Sequence, residues 1–186
     1  MWEVILSLYK DKIIFVPSCL LCPVYMVKKE RPDVLWREEI VSYLNKSGYS
    51  MIQMPCPEAS FPNYNCGIKR IPHGIKYYEG LMGFKEHCYS LGNQVISQIV
   101  ALYVGGYSVT AIMGIEHSPT CATSYMYTSQ GTQKRQGIYT EYLSKMLKER
   151  GYQIPLLGIN RRFPQKAIKL LCEIEIGQNK ELDQFG

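Results

Sequence analysis

Three short apolar runs, each followed within a few residues by a cysteine, are the feature that most constrains this chain. The runs are residues 13–16 before Cys19, 49–54 before Cys56 and 109–115 before Cys121. Apolar runs of this length, bounded by proline and turn residues, are typical of buried strands. If the strands are parallel neighbours, their carboxyl ends lie side by side, at the edge where open α/β sheets bind ligands. The sequence therefore predicts that three thiols distant along the chain meet at one place.

Helical patterns alternate with these strands. The expected helices are 34–46, 84–89, 93–104, 138–150 and 164–173, and a fourth strand is expected over 154–157. Long irregular segments are expected after Cys56, over 59–80, and after Cys121, as far as Gln136. Strands that alternate with helices predict an α/β fold in which helices cover both faces of a parallel sheet of about four strands. We expect residues 1–186 to form a single domain, with a C-terminal helix and flexible tail over 163–186.

Composition narrows the class of protein. The 186 residues are 46% hydrophobic and 20% charged, as in an ordinary globular domain, and no apolar stretch approaches the roughly 20 residues of a membrane span. The N-terminus does not resemble a signal peptide. Seven cysteines are an odd number and too few for a disulfide scaffold, which predicts reduced thiols in the cytoplasm. The net charge of +5 comes from dispersed basic residues, so contact with a nucleic acid such as tRNA is allowed but not indicated.

The convergent cysteines define the candidate chemistry. Three thiolates can hold three irons of a 4Fe–4S cluster and leave the fourth iron open for water or substrate. The alternative is that each cysteine is simply a small buried hydrophobe. Cys19 and Cys22 form a C-x-x-C sequence that resembles a redox or zinc pair. Cys22 is also a candidate for a fourth cluster ligand or an auxiliary sulfur carrier. The other cysteines, expected to be core or loop thiols, are Cys66, Cys88 and Cys172.

Three motifs carry a family resemblance. They are Ser-Cys-Leu-Leu at 18–21, Cys-Pro-Glu at 56–58 and Ser-Pro-Thr-Cys at 118–121. Together they resemble the motifs of the thiouracil desulfidase (TudS-like) family over about residues 13–159. The chain departs from the family pattern where Cys22 and Ala122 replace glycines, and where a glycine-rich stretch after Cys-Pro-Glu is missing. It is therefore identified as a divergent member whose natural substrate can differ from thiouracil.

The resemblance implies a Rossmann-like domain and an enzyme. Cys19, Cys56 and Cys121 would bind a 4Fe–4S cluster, and the open iron would take the sulfur of a thiolated pyrimidine or a related small organosulfur compound. Hydrolysis without redox change would then cleave the carbon–sulfur bond and release sulfide. The family's polar catalytic residues would be Glu58 and Ser118.

Each of these polar residues also has an ordinary structural explanation. Glu58 is a candidate general base for water or a proton shuttle to the substrate ring, or else an acid stabilised at a helix N-terminus. Ser118 is a candidate for binding a substrate carbonyl or guiding water, or else part of a Ser-Pro turn. His117 is a weaker site candidate beside it, and an exposed loop histidine is the ordinary expectation. The weakest candidates are His73, His87 and the stacking tyrosines Tyr25, Tyr64 and Tyr125.

A second class of function stays open at this point. The same open iron could hold sulfide in a carrier that does not catalyse hydrolysis, delivering sulfur or the cluster to a partner. Electron-transfer activators and dehydratase-like enzymes also use three-cysteine clusters. No glycine-rich phosphate loop is present in the sequence, which disfavours a nucleotide-dependent enzyme.

Overall fold

The computed structural model describes residues 12–26, 35–62, 73–128 and 130–183, with side chains to residue 177. The strands are β1 Ile13–Pro17, β2 Ser50–Met54, β3 Val109–Ile115, β4 Tyr125–Thr128, β5 Gly131–Lys134 and β6 Leu156–Ile159. The helices are α1 Ser18–Leu21, α2 Leu35–Lys46, α3 Pro57–Ser60, α4 Ile75–Gly80, α5 Phe84–Val104, α6 Ile138–Glu149 and α7 Gln165–Asp183, with a 3-10 turn at Pro23–Tyr25.

Four parallel strands form the main sheet in the order β2-β1-β3-β6. The predicted α/β fold is therefore confirmed. From β1 the chain crosses to one side to form β2 and then to the other side to form β3. The carboxyl ends of β1 and β3 consequently flank the point where the strand order reverses, which is where ligands bind in sheets of this kind.

Strand alternation divides the core into two layers. Ile14 and Val16 of β1 pack with α2 and α7 on one face of the sheet. Ile13 and Phe15 pack with α5 and α6 on the opposite face. Because both faces are covered, all five residues of β1 are buried, as expected for the interior of a parallel sheet.

The structure corrects several expectations, and α4 forms within the segment 59–80 that was expected to be irregular. The break predicted between helices 84–89 and 93–104 is wrong, because α5 continues through Gly92. This glycine lies against α6, and a Cβ there would sit 2.4 Å from Met146 Cε. The fourth strand begins at Leu156 because Pro155 has no N–H to donate, although its carbonyl accepts a hydrogen bond from Ile112 N at 2.9 Å.

The segment after Cys121 is not the polar loop that was expected. Strands β4 and β5 pair there as an antiparallel hairpin, in which Met126 is buried while Tyr125 and Tyr127 are exposed. At the other end of the chain, α7 continues beyond the expected limit at residue 173. Among the described helices, none has both the length and the apolar character needed to cross a bilayer. Cys66 and Tyr64 lie outside the described residues.

Candidate active site

A cavity of about 310 Å³ opens at the carboxyl edge of the main sheet, and Cys19, Cys56 and Cys121 all line it. Cys19 lies in α1 directly after β1, Cys56 immediately precedes α3, and Cys121 follows β3. All six cysteines among the described residues are thiols and not disulfides. The structure therefore brings together the three cysteines that the sequence placed at strand ends.

Hydrogen bonds fix the first two cysteines relative to each other. The hydroxyl of Ser18, which is 2% exposed, donates to the Met54 carbonyl at the end of β2. The same hydroxyl accepts a hydrogen bond from Gln53 Nε2 at 3.2 Å. Arg37 Nε of α2 donates to the Cys19 carbonyl at 2.9 Å. The ends of β1 and β2, each followed by a cysteine, are thus tied by polar contacts as well as by the sheet.

Two glycines allow the third cysteine to approach the sheet. A Cβ at Gly114 of β3 would lie 2.0 Å from the Cys121 carbonyl oxygen, and one at Gly137 would lie 2.4 Å from the Thr120 carbonyl. The backbone N–H of Tyr139 donates to that Thr120 carbonyl at 2.9 Å. The loop that carries Cys121 is therefore held between β3 and the start of α6, where any larger residue at either glycine would displace it.

The predicted carboxylate is buried beside these thiols. Glu58 lines the cavity and is 6% exposed. Its two oxygens accept hydrogen bonds from Tyr78 Oη at 2.9 Å and Thr120 Oγ1 at 2.8 Å. The contact with Thr120 joins the start of α3 to the Cys121 loop. Thr120 stands within the third motif, whereas no pattern in the sequence connects Tyr78 with Glu58.

Ser118 both shapes the loop and contacts a thiol. Its Oγ accepts hydrogen bonds from the backbone N–H groups of Thr120 at 3.3 Å and Cys121 at 3.2 Å, so the local turn expected as the structural alternative is present. The Cys121 thiol also donates to Ser118 Oγ at 3.3 Å. The side chain lines the cavity. Its position is compatible with the turn and with a role toward a bound molecule.

Burial controls the protonation of two of the thiols. Loss of solvent raises the pKa of Cys121 to about 11, while the hydrogen bond to Ser118 acts in the opposite direction. Burial and, next, the charge of Glu58 raise the pKa of Cys88 to about 12. Cys88 is a fully buried core residue of α5, as expected. Because a metal ion displaces the thiol proton, Cys121 would ionise when a cation is bound.

Buried polar atoms without a hydrogen-bond partner gather around this cavity. Within the part of the chain that the structure describes, these atoms are Trp36 Nε1, His117 Nδ1 and Tyr139 Oη. Trp36 and His117 line the cavity. Tyr139 does not line the cavity; burial raises its pKa, followed by the charge of Cys88 and then those of Cys121 and Cys56. Buried polar groups normally have partners, so this concentration indicates a site that binds a polar group.

The donor set could hold an iron–sulfur cluster. Three soft thiols from separate strand ends suit iron and sulfide. Among the described residues, no group of three or more histidine, cysteine or acidic side chains is arranged around a common point to hold one metal ion. A cluster does not need such a group, because each thiolate binds a different iron. The orphaned polar atoms nearby fit the same interpretation.

The histidines and aromatic residues divide between the cavity and its surroundings. His117 and His73 line the cavity, and their rings stack on Tyr127 and Tyr77, each with centroids 3.9 Å apart. His87 instead lies within hydrogen-bonding distance of Ser60, at 2.9 Å. The sequence did not single out three further lining residues, Trp36, Tyr127 and Arg161. Tyr25, Tyr125 and Cys22 are not among the described residues that line the cavity.

No family model matches the sequence, and no curated protein matches it. The solved structure of TudS, a 4Fe-4S-dependent thiouracil desulfidase, is similar to this chain with a TM-score of 0.50 and 19% sequence identity. The similarity covers 87% of this chain and 98% of the other. At this identity it establishes a shared fold. The resemblance that the three motifs indicated is thereby confirmed in the fold.

Proposed function

We propose that this protein is an iron–sulfur-dependent desulfidase that removes sulfur from a thiolated pyrimidine or a related small organosulfur compound. The observation that carries the proposal is the meeting of Cys19, Cys56 and Cys121 with the buried Glu58 in one cavity. The shared fold with a 4Fe-4S-dependent thiouracil desulfidase supports it. A reducing cytoplasm would keep the three thiols available for iron.

The reaction is a hydrolysis and needs no external electron donor. The oxygen of water forms a bond to the ring carbon of a C=S group, the carbon–sulfur bond breaks, and the sulfur leaves as hydrogen sulfide with the two protons of water. In this scheme the three cysteines would hold a 4Fe–4S cluster. When bound, the cluster would supply a thiophilic Lewis acid for the departing sulfur.

Glu58 is the candidate base in this proposal. Each of its oxygens already accepts one hydroxyl hydrogen bond, from Tyr78 and Thr120, which fixes the carboxylate against the Cys121 loop. A carboxylate held in this way can take a proton from a water in the cavity, and the two hydroxyls orient it for that role.

Ser118 is the candidate for contact with the substrate or water. Its oxygen is held at the turn by two backbone N–H groups and lies 3.2 Å from Thr120 Oγ1. Thr120 gives its own hydroxyl proton to Glu58, so the Ser118 hydroxyl donates to Thr120 Oγ1, and a bound molecule would compete for that proton. We propose that the Ser118 hydroxyl then donates to a carbonyl of the substrate or to the attacking water.

Iron content and sulfide release in the absence of oxygen test the proposal. Protein purified without oxygen should contain about four irons per chain and release sulfide from thiouracil or another thiolated pyrimidine. Cys56→Ala should lose both the iron and the activity. Cys172→Ser is the matched control, because this cysteine lies 3.0 Å from Tyr43 Oη and outside the cavity, and it should keep both.

Two results separate the remaining alternatives. Full sulfide release by Cys56→Ala would refute the proposal. Bound iron with stoichiometric uptake of sulfide, but no turnover on any thiolated substrate, would instead identify a carrier. Cys22→Ser should retain iron and activity if the fourth iron is open, whereas loss of iron would make Cys22 a ligand.

A further inference from the structure

His117 has a backbone conformation that side chains rarely adopt. Its φ of 67° makes it the one non-glycine residue with positive φ among those the structure describes. The strain is maintained by neighbouring contacts, in which His117 N donates to the Tyr125 carbonyl at 2.8 Å and Ser118 N donates to the Ile115 carbonyl at 3.2 Å. Strained residues of this kind concentrate at functional sites, so the position calls for a functional explanation.

The strained turn presents an aromatic pair to the cavity. The imidazole of His117 stacks on the ring of Tyr127, with centroids 3.9 Å apart and planes inclined by 17°. Both residues line the cavity that contains the three cysteines. Alternation along β4 buries Met126 and leaves Tyr127 54% exposed, so the tyrosine retains accessible surface after stacking.

The electrostatic surroundings keep the imidazole neutral near pH 7. Burial lowers the pKa of His117. The charge of Glu116 is the next largest influence on this pKa and opposes burial, while the charges of Arg161 and Arg162 act in the same direction as burial. The Glu116 carboxylate is held by Thr123 Oγ1 and by Tyr125 N, each at 2.7 Å. A neutral imidazole can stack with an uncharged heterocycle without the cost of burying a charge.

We propose that His117 and Tyr127 form the wall against which the ring of the substrate stacks, so that this pair selects an aromatic thiolated heterocycle over a saturated one. The inference rests on the proposed function and narrows its substrate class. Offset or parallel stacking of planar rings favours binding beyond the area that is buried. It also explains why a strained histidine is retained at the end of β3, where a glycine would relieve the strain.

Binding of uracil and 5,6-dihydrouracil to the iron-containing protein tests this inference. Both probes carry the same ring carbonyl and N–H groups, but the saturated ring is not aromatic, and neither probe contains sulfur that could be removed. Calorimetry should show tighter binding of uracil by the wild type. Tyr127→Ala should weaken uracil binding by roughly tenfold and abolish the preference, while Tyr127→Phe should preserve both.

Two further variants separate a binding role from a structural one. Tyr125→Ala is the matched control, because Tyr125 is the neighbouring exposed tyrosine of β4 and does not line the cavity. It should bind uracil as the wild type does. His117→Gly relieves the backbone strain, so it should unfold at a temperature equal to or above that of the wild type and still lose the preference for uracil.

The binding experiment can fail independently of the desulfidase proposal. A wild type that prefers uracil through Tyr127 but releases no sulfide from thiouracil would refute the desulfidase proposal and leave the stacking wall intact. A wild type that binds both probes equally, or a Tyr127→Ala variant that keeps the preference, would overturn the wall. A His117→Gly variant that keeps the preference but unfolds at a lower temperature would also overturn it, since the histidine would then be structural.

Discussion

The two ends of the parallel sheet differ in whether buried polar atoms are left without hydrogen-bond partners. At the amino end, Tyr49 Oη donates to Glu175 Oε1 at 2.7 Å, and Lys12 Nζ lies 3.2 Å from the same carboxylate. Tyr43 Oη and Cys172 Sγ are 3.0 Å apart nearby. At the carboxyl end, the indole nitrogen of Trp36 and other buried polar atoms have no hydrogen-bond partner within the described chain.

This difference indicates that the polar groups at the amino end stabilise the fold and that those at the carboxyl end form a binding site. Polar groups that hydrogen-bond to one another add stability and need no bound molecule to satisfy them. Polar groups that are buried without partners cost stability, and a fold retains them where a bound group will meet them. Cysteine occurs at both ends of the sheet, so the residue type alone does not identify the site. The site is identified by neighbouring buried polar atoms that lack hydrogen-bond partners.

The largest effect expected from this comparison comes from changing a carboxylate at each end to an amide. Glu58→Gln should lower kcat by about 10²–10⁴, because the amide cannot accept a proton from water. Glu175→Gln should leave kcat unchanged and lower the free energy of unfolding, because it weakens the contacts with Tyr49 and Lys12. Steady-state sulfide release and urea unfolding measure the two effects. Wild-type kcat in Glu58→Gln would remove this residue from the mechanism.

Removing one tyrosine hydroxyl at each end of the sheet should affect the free energy of unfolding differently. Tyr49→Phe removes one of the two groups that contact Glu175 Oε1, leaving Lys12, and should cost about 1 kcal/mol of unfolding free energy. Tyr139→Phe removes a buried hydroxyl that has no partner within the described residues, so it should leave stability unchanged or raise it by up to about 1 kcal/mol. Urea unfolding of iron-free protein compares them. Equal losses in the two variants would show that the Tyr139 hydroxyl does have a partner in the fold.

The parts that sequence predicted correctly depend on local patterns. Each of the three apolar runs was followed within a few residues by a cysteine, and the alternation of strands and helices predicted parallel strands whose carboxyl ends share an edge. The convergence of Cys19, Cys56 and Cys121 followed from topology alone. The placement of Glu58 beside them followed from its position two residues after Cys56.

The parts that sequence missed depend on contacts between distant residues. Tyr78 and Thr120 hold Glu58 across 20 and 62 positions of the chain, respectively, and no periodicity records such a pairing. Strand β5 was missed because all four of its residues are exposed, so it has no buried face to produce alternation. Tyr127 was missed because the feature that distinguishes it is a contact with the ring of His117, which no sequence pattern records.

Alkaline pH should weaken the amino end through Tyr43. Burial, with the hydrogen bond to Cys172, raises the pKa of Tyr43 to about 12. An unfolded tyrosine ionises near pH 10, so stability falls as the pH rises from about 10 to about 12, where the unfolded chain alone has released the proton. Tyr43→Phe should therefore lose less stability than the wild type between pH 9 and pH 11. Tyr89→Phe, a change at an exposed tyrosine of α5, is the control, and an equal benefit there would contradict the assignment.

Acid pH should produce the smallest effect, at the carboxyl end, through His117. Burial lowers its pKa below the ordinary value of about 6.5, so the unfolded state binds more protons below that pH and the folded state loses stability as the pH falls. His117→Asn, which tolerates positive φ, should show a smaller drop in unfolding temperature between pH 7.5 and pH 5.5. His87→Asn should also reduce the drop, because burial lowers the pKa of His87 as well. Uracil should steepen the acid dependence in the wild type and in His87→Asn but not in His117→Asn, since only His117 lines the cavity. If uracil changed the acid dependence equally in all three proteins, His117 would not contact the ligand. The two ends of the sheet would then be distinguished by the cysteines and Glu58 alone.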